Sequence, residues 1–261
     1  MIARTISFVA LLLPSLAFAE TEFWLTNDRI NINLGAFITE FDGEGRATSD
    51  AGRGTKIDLE DDLGLEESVS VARLDTSFRI SSRHSVQFSY IDLSREGDNV
   101  TERPLLINDT LYPVGSDLDV DFDYRVYKLA YTYSIWQTPD YDLGFTTGLH
   151  IFEVGLTIKT DLAKTEDSDE TAPFPMFGLR GSWLLDPDVF FRTSIEYFAI
   201  SEGDVEGSLL DILVSIEYKF SKRWGFGIGY NHLDLEAENS DSQDELDYEY
   251  DGILLYGKLV Y

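Results

Sequence analysis

The connections between apolar segments constrain this chain more than any single motif. Ten segments alternate apolar and polar residues, at approximately 29–41, 69–80, 85–95, 119–136, 142–158, 174–185, 189–201, 208–220, 224–236 and 249–261. Alternation with period two is the signature of a β-strand, whose successive side chains point to opposite faces. The connections come in two kinds in strict succession. Tight turns ("SSRH" 81–84, "QTPDY" 137–141, "DPD" 186–188, "SKR" 221–223) exchange with longer acidic segments at 42–68, 96–118, 159–173, 202–207 and 237–248. Short turns at one end and long loops at the other are the plan of an up-and-down barrel that spans a membrane. An even number of strands puts both chain ends on the short-turn side.

The two faces of each strand differ sharply. One carries Leu74, Thr76, Phe78 and Ile80; Leu129, Tyr131, Tyr133 and Ile135; Phe177, Leu179, Gly181 and Trp183; or Ile212, Val214, Ile216, Tyr218 and Phe220, without a charge. The other mixes small residues with charges of both signs. A soluble antiparallel sheet also has one apolar face, so alternation alone does not say whether water or lipid lies outside. Aromatic placement does. Trp136, Trp183, Trp224, Phe220 and Tyr261 flank the tight turns, while Tyr90, Tyr124, Tyr197, Tyr230 and Tyr250 sit toward the acidic segments. Two such belts are expected at the two membrane interfaces. The predicted fold is therefore all-β: a transmembrane antiparallel up-and-down barrel of about ten strands, with short periplasmic turns and longer acidic extracellular loops.

The first twenty residues read as an export signal. Arg4 supplies a basic start, Ile6 to Leu13 an apolar run, and Ala17-Phe18-Ala19 a small-residue cleavage site, so residues 1–19 are expected to be removed, leaving 20–261 as one barrel domain. The apolar run falls well short of the roughly 20 residues of a spanning helix. The net charge of −28 argues against a nucleic-acid partner. The absence of cysteine excludes a disulfide scaffold.

The final strand, "GILLYGKLVY" (252–261), places Ile253, Leu255, Leu259 and Tyr261 on one face. Together with the Ala-Phe-Ala signal, it resembles the bacterial outer-membrane β-barrel superfamily, in the manner of the small OmpA-type and OmpW-type barrels. The resemblance implies location in the outer membrane among lipid and lipopolysaccharide. It also implies that this aromatic-ended strand is read by the barrel assembly machinery, with Tyr for the usual Phe and Gly257 as departures. No subfamily or oligomeric state follows from it.

Inward-pointing charges form the first candidate site: Arg73, Asp75, Arg79, Arg125, Lys128, Arg180, Arg192, Glu196, Asp211, Glu217, Lys219 and Lys258. In a barrel of about ten strands long side chains can meet across the interior, and opposite signs predict an ion-pair plug; the alternative is a small porin-like channel. The second candidate is the row Asp117, Asp119, Asp121 and Asp123 in "DLDVDFD", carboxylates spaced about 6–7 Å along one strand face. Phe122 and Lys128 stand where a calcium-binding loop of the helix–loop–helix type needs Gly and Glu, which rejects that motif. The row reads either as a solvated acidic rim, partly neutralised by Arg125, or, with the acid between Asp234 and Asp251, as a surface that gathers Ca²⁺ or Mg²⁺ at the loops, and no other cofactor is implied. Of the three histidines, His84 falls in a turn, His150 faces the lumen and His232 lies beside Asp234 near the rim. No omptin-type or lipid A modifying motif can be matched around them. A non-enzymatic barrel with a structural or surface-interaction role is the reading favoured over the channel and, third, over a surface enzyme.

Overall fold

The structure is a computed structural model that describes residues 28–46, 48, 54–107, 110–161, 166–241 and 243–261, with the side chains of 166–169 also outside the description. The expected signal segment, 1–19, lies outside the described residues. Ten staves close into one barrel. They are β1 (Ile30–Arg46), β3 (Ser68–Arg79), β4 (His84–Asp92) continued by β5 (Arg95–Val100), β8 (Asp117–Gln137), β9 (Tyr141–Lys159), β10 (Glu166–Asp186), β11 (Val189–Glu202), β12 (Val205–Lys219), β13 (Trp224–Asn239) and β14 (Asp244–Val260). Neighbours are antiparallel throughout, and β14 pairs with β1 from Asn31–Val260 to Arg46–Glu245. Tyr261 completes the closure, exchanging two backbone hydrogen bonds with Ile30 at 2.8 and 2.9 Å. β4 and β5 are one stave, because Asp92–Arg125 and Arg95–Phe122 belong to a single register across to β8. Two small additions decorate the open end: β2 (Ile57–Asp58) against β1, and the hairpin β6 (Leu105–Ile107) with β7 (Thr110–Tyr112).

A tilted strand crosses the hydrocarbon with about 9–11 residues, yet β8 has 21 and β9 has 19. The excess projects beyond the membrane, and the alternation changes sign there. In β13, Phe226, Ile228 and Tyr230 point out and Gly225, Gly227 and Asn231 in. Above Tyr230 the outward residues become His232, Asp234 and Glu236, and the inward ones Leu233 and Leu235. The same switch occurs in β8 at Lys128, below which Leu129, Tyr131 and Tyr133 face out, and above which Val126, Tyr124, Phe122, Val120 and Leu118 face in. Lipid demands an apolar exterior, whereas water demands a polar one and drives the apolar residues inside. The chain is a membrane barrel below and a water-facing barrel with its own apolar core above.

This inversion explains why the acidic segments are shorter loops than the sequence predicts. β1 runs to Arg46, β10 begins at Glu166 and β14 at Asp244, so much of the acid belongs to the outward faces of strands. It also corrects the upper aromatic belt. Tyr90, Tyr197 and Tyr230 face outward, but Tyr124 and Tyr250 are buried in the upper core. The lower belt stands, with Trp136 (61% exposed), Trp224, Phe220 and Tyr261 on the outside.

Candidate functional site

The lumen is filled at two levels. In the lower one, Glu217 of β12 accepts from Lys258 Nζ of β14 and Arg192 Nε of β11, each at 2.7 Å, and from the Tyr256 hydroxyl at 3.0 Å. Gly227 of β13 makes this possible, since a Cβ there would lie 2.3 Å from the Tyr256 ring. Across the lumen, the Lys128 ammonium contacts Glu196 and lies 3.0 Å from Asp211 Oδ2. Glu196 also meets His150 Nε2 and Arg180 Nη2, both at 3.1 Å. Asn231 donates to Asp211 at 2.8 Å and accepts from Arg73, which is itself 3.0 Å from Asp75. At the periplasmic mouth Arg79 pairs with Asp142 at 3.3 Å and Lys219 with Asp28 at 2.6 Å. A polar cavity of about 170 Å³ lies among these groups.

Eleven of the twelve lumen residues expected from the sequence meet in this network or at its mouth. Arg125 does not. It sits at the opposite parity from Lys128 and therefore points outward, where it bonds Asp123 at 2.7 Å and Asp92 at 3.4 Å. Sequence reasoning missed Asp28, Asp142, His150 as a network member, Asn231 and Tyr256. For His150 and Asn231 the strand parity was a usable signal, because both share the inward face of their strands with small residues. The seven cations and six carboxylates named here nearly cancel, so the acid excess of the chain is carried elsewhere. His150, Glu196 and Asp211 bring ligand atoms within 4.8 Å of one another, the one such group among the described residues. The Lys128 ammonium already occupies the place of a cation between the two carboxylates.

The upper level is apolar. Phe37, Phe122, Tyr124, Phe152 and Tyr248 are buried there, with the Tyr124 and Tyr248 rings 4.8 Å apart. A turn after β2 folds over the opening and inserts Leu59, Leu63 and Leu65. Gly64, at φ +74°, lets that turn approach the Asp98 carbonyl, where a Cβ would stand 2.5 Å away. Arg95 anchors the turn from inside the barrel. Its guanidinium is wholly buried, bonds Glu60 at 2.6 Å and the Glu66 carbonyl at 2.9 Å, and stacks 4.1 Å from the Phe41 ring. On the outside of the turn Arg103 holds Asp62. Burial resists the charge on Asp62, but the bonds from Arg103 and the Asp58 backbone outweigh it and keep this carboxyl below its ordinary range.

The outer face of the projecting half carries the acid. Asp117, Asp119, Asp121 and Asp123 all point outward along β8, with Lys159 on Asp121 and Arg125 on Asp123. Asp119 stands opposite Asp98, and Asp121 opposite Glu96. Around β13, β14 and β1 the register aligns Glu236–Asp247–Glu44 and Asp234–Glu249–Asp42. Partial burial, then the charges of Glu236 and Glu44, push the Asp247 carboxyl up. His232 belongs to the same face, with Nδ1 3.4 Å from Glu249.

No protein-family model matches the chain, and no curated protein matches its sequence. Among solved structures it is similar to the outer membrane protease OmpT from Escherichia coli, with TM-score 0.64, 11% identity, and coverage of 93% of this chain and 99% of that one. Weaker likenesses include OprG from Pseudomonas aeruginosa (TM-score 0.40, 11% identity, 89% and 95% covered) and Ail, the attachment invasion locus protein of Yersinia pestis (TM-score 0.38, 12% identity, 89% and 98% covered). This chain has the fold of a bacterial outer-membrane β-barrel. The likeness to OmpT is one of fold, and the outward apolar band of Leu34, Phe78, Leu129, Phe145, Leu179, Ile195, Phe226 and Ile253 supplies the lipid contact. Ile253, Leu255, Leu259 and Tyr261 lie on that lipid-facing side of the last strand.

Proposed function

We propose that this protein is a closed barrel whose working surface is the acidic, water-facing half above the membrane. The observation that carries the reading is the double closure of the lumen. An ion-pair layer centred on Lys128 and Glu217 lies beneath an aromatic layer capped by Leu59, Leu63 and Leu65. A solute path would have to break both. Outside, carboxylates stand directly opposite one another on adjacent strands, an arrangement that repels and is relieved by cations. The surface therefore meets basic segments of other molecules, or divalent ions shared with the anionic lipopolysaccharide around the barrel. Hard carboxylate oxygens suit Ca²⁺ and Mg²⁺.

Refolded protein in a planar lipid bilayer tests the closure. The expected result is no steady conductance from the unmodified chain. Large, stable open currents would reject the reading and promote the channel.

A further inference from the structure

Charge is sorted at the periplasmic end of the barrel as well as at the outer one. Every lysine and arginine among the described residues pairs with a carboxylate, except four. The four are Arg29, Arg83, Lys222 and Arg223, all exposed and all at the periplasmic end. The strand ends fix their places. Lys222 and Arg223 lie in the turn from β12 to β13, and the Arg223 carbonyl accepts from Val260 of β14 at 2.8 Å. Arg29 leads into β1, where its carbonyl accepts from Arg79 at 2.8 Å, next to the Ile30–Tyr261 bonds. Arg83 lies in the turn from β3 to β4, and its carbonyl accepts from Ser134 of β8 at 2.8 Å. In the strand order these three points follow one another at every second strand, roughly 10 Å apart at nearly 5 Å per strand.

They form one arc. The remaining two turns carry the opposite sign, with Asp140 between β8 and β9 and Asp186 and Asp188 between β10 and β11, all exposed. The periplasmic rim is therefore basic from β12 to β4 and acidic from β8 to β11. The basic arc stands at the foot of the lipid-facing band. Trp224 follows Arg223 directly, Phe220 precedes the same turn, Ile80 precedes the turn of Arg83, and Tyr261 closes on Ile30; all four side chains are exposed. His84, beside Arg83, meets the rings of Tyr131 and Tyr133 with centroids 5.9 and 5.1 Å apart. Such a belt marks the depth of the lipid headgroups, so the four cations are held where phosphates lie. Asp28, next to Arg29, is taken by Lys219, and the terminal carboxylate of Tyr261 still leaves cations in surplus.

We propose that this arc binds the phosphate groups of anionic phospholipids in the periplasmic leaflet of the outer membrane. Arginine suits the task, because its planar fork bonds two phosphate oxygens at once. A zwitterionic lipid brings an ammonium or choline with each phosphate and gains less from the arc. The acidic arc repels the same phosphates, so binding is one-sided. The arc is centred on the β14–β1 seam, which is held at this end by the Ile30–Tyr261 bonds rather than by a turn. This goes beyond the surface-interaction reading, and neither conductance nor cation binding at the outer face bears on it.

Tryptophan makes the two arcs separately readable, with Trp224 beside the basic one and Trp183 beside the acidic one. Chains that keep only Trp224 or only Trp183, the other three tryptophans changed to Phe, are refolded in phosphatidylcholine vesicles. A fixed fraction of the lipid is phosphatidylglycerol brominated on its acyl chains or, in parallel, brominated phosphatidylcholine, and bromine quenches an adjacent indole. At low salt the glycerol lipid should be preferred at Trp224 by about fivefold or more, since each Lys or Arg at an anionic surface is worth about that factor. Trp183 should show no such preference. Arg29→Gln, Arg83→Gln, Lys222→Gln and Arg223→Gln together should remove the preference at Trp224 while the barrel stays folded. Native mass spectrometry makes the same comparison with every tryptophan in place: the parent should retain phosphatidylglycerol and the fourfold variant should not. Equal quenching by the two lipids at Trp224, an equal preference at Trp183, or a preference that survives the four changes would overturn the proposal. So would binding of cell-wall fragments through these four residues without any lipid preference, which would make an anionic wall polymer the partner.

Discussion

Removing the Lys128 ammonium is the sharpest test of the ion-pair layer. In Lys128→Met the stem keeps its volume, but Glu196 and Asp211 lose the cation between them. Their facing oxygens lie within 4.8 Å, and two unit charges at that separation repel by about 3.5 kcal/mol at an effective dielectric constant near 20. The loss of one member of a buried pair independently suggests about 3–5 kcal/mol. The repulsion is present in the parent too, where the ammonium offsets it, so it sets the scale of the imbalance that Lys128→Met leaves unopposed. Arg180 still holds Glu196 and Asn231 still holds Asp211, at 3.1 and 2.8 Å, which keeps the expected loss at the lower end. Reversible guanidinium unfolding in phospholipid vesicles gives the number. Lys219→Met is the control: its pair with Asp28 lies at the mouth, and about 1 kcal/mol is expected there. A Lys128→Met chain as stable as the parent, or no weaker than Lys219→Met, would refute the layer as an energetic unit.

Three further outcomes are expected. Arg95→Leu should leave Glu60 buried without its partner and release the capping turn, read as a stability loss of about 3 kcal/mol or more and as faster proteolysis within 59–65. Because Asp247 is pushed up and Asp62 held down, they act oppositely on stability. Acidification through the raised range of Asp247 relieves repulsion and stabilises the folded chain, whereas stability from the Asp62–Arg103 bond is present above the ordinary aspartate value near 3.9 and lost as pH falls through the lower folded one; Asp247→Asn should stabilise at neutral pH and flatten the first limb of the melting profile. Millimolar Ca²⁺ should raise the melting temperature of the parent more than that of Asp119→Asn with Asp121→Asn, and identical responses would remove those aspartates from any cation-binding role.

Turn spacing and period-two alternation make the ten staves legible in the sequence, because in lipid every backbone group must pair within the chain and a closed sheet is then the one arrangement for strands. Strand parity likewise put Arg180, Glu196, Asp211, Glu217 and Lys258 inside before any contact was known, since a side chain's face depends only on its position along the strand. Which of them pair was not legible: Lys128 and Asp211 are 83 residues apart in the chain, and shear and closure decide that they meet. Arg125 departs from the lumen set because its position along β8 has the opposite parity to Lys128, which turns it outward. The upper half was hidden for a subtler reason, that alternation looks the same whichever face is apolar, so the exchange of faces at Tyr230 and Lys128 becomes visible only once the membrane-facing band is located.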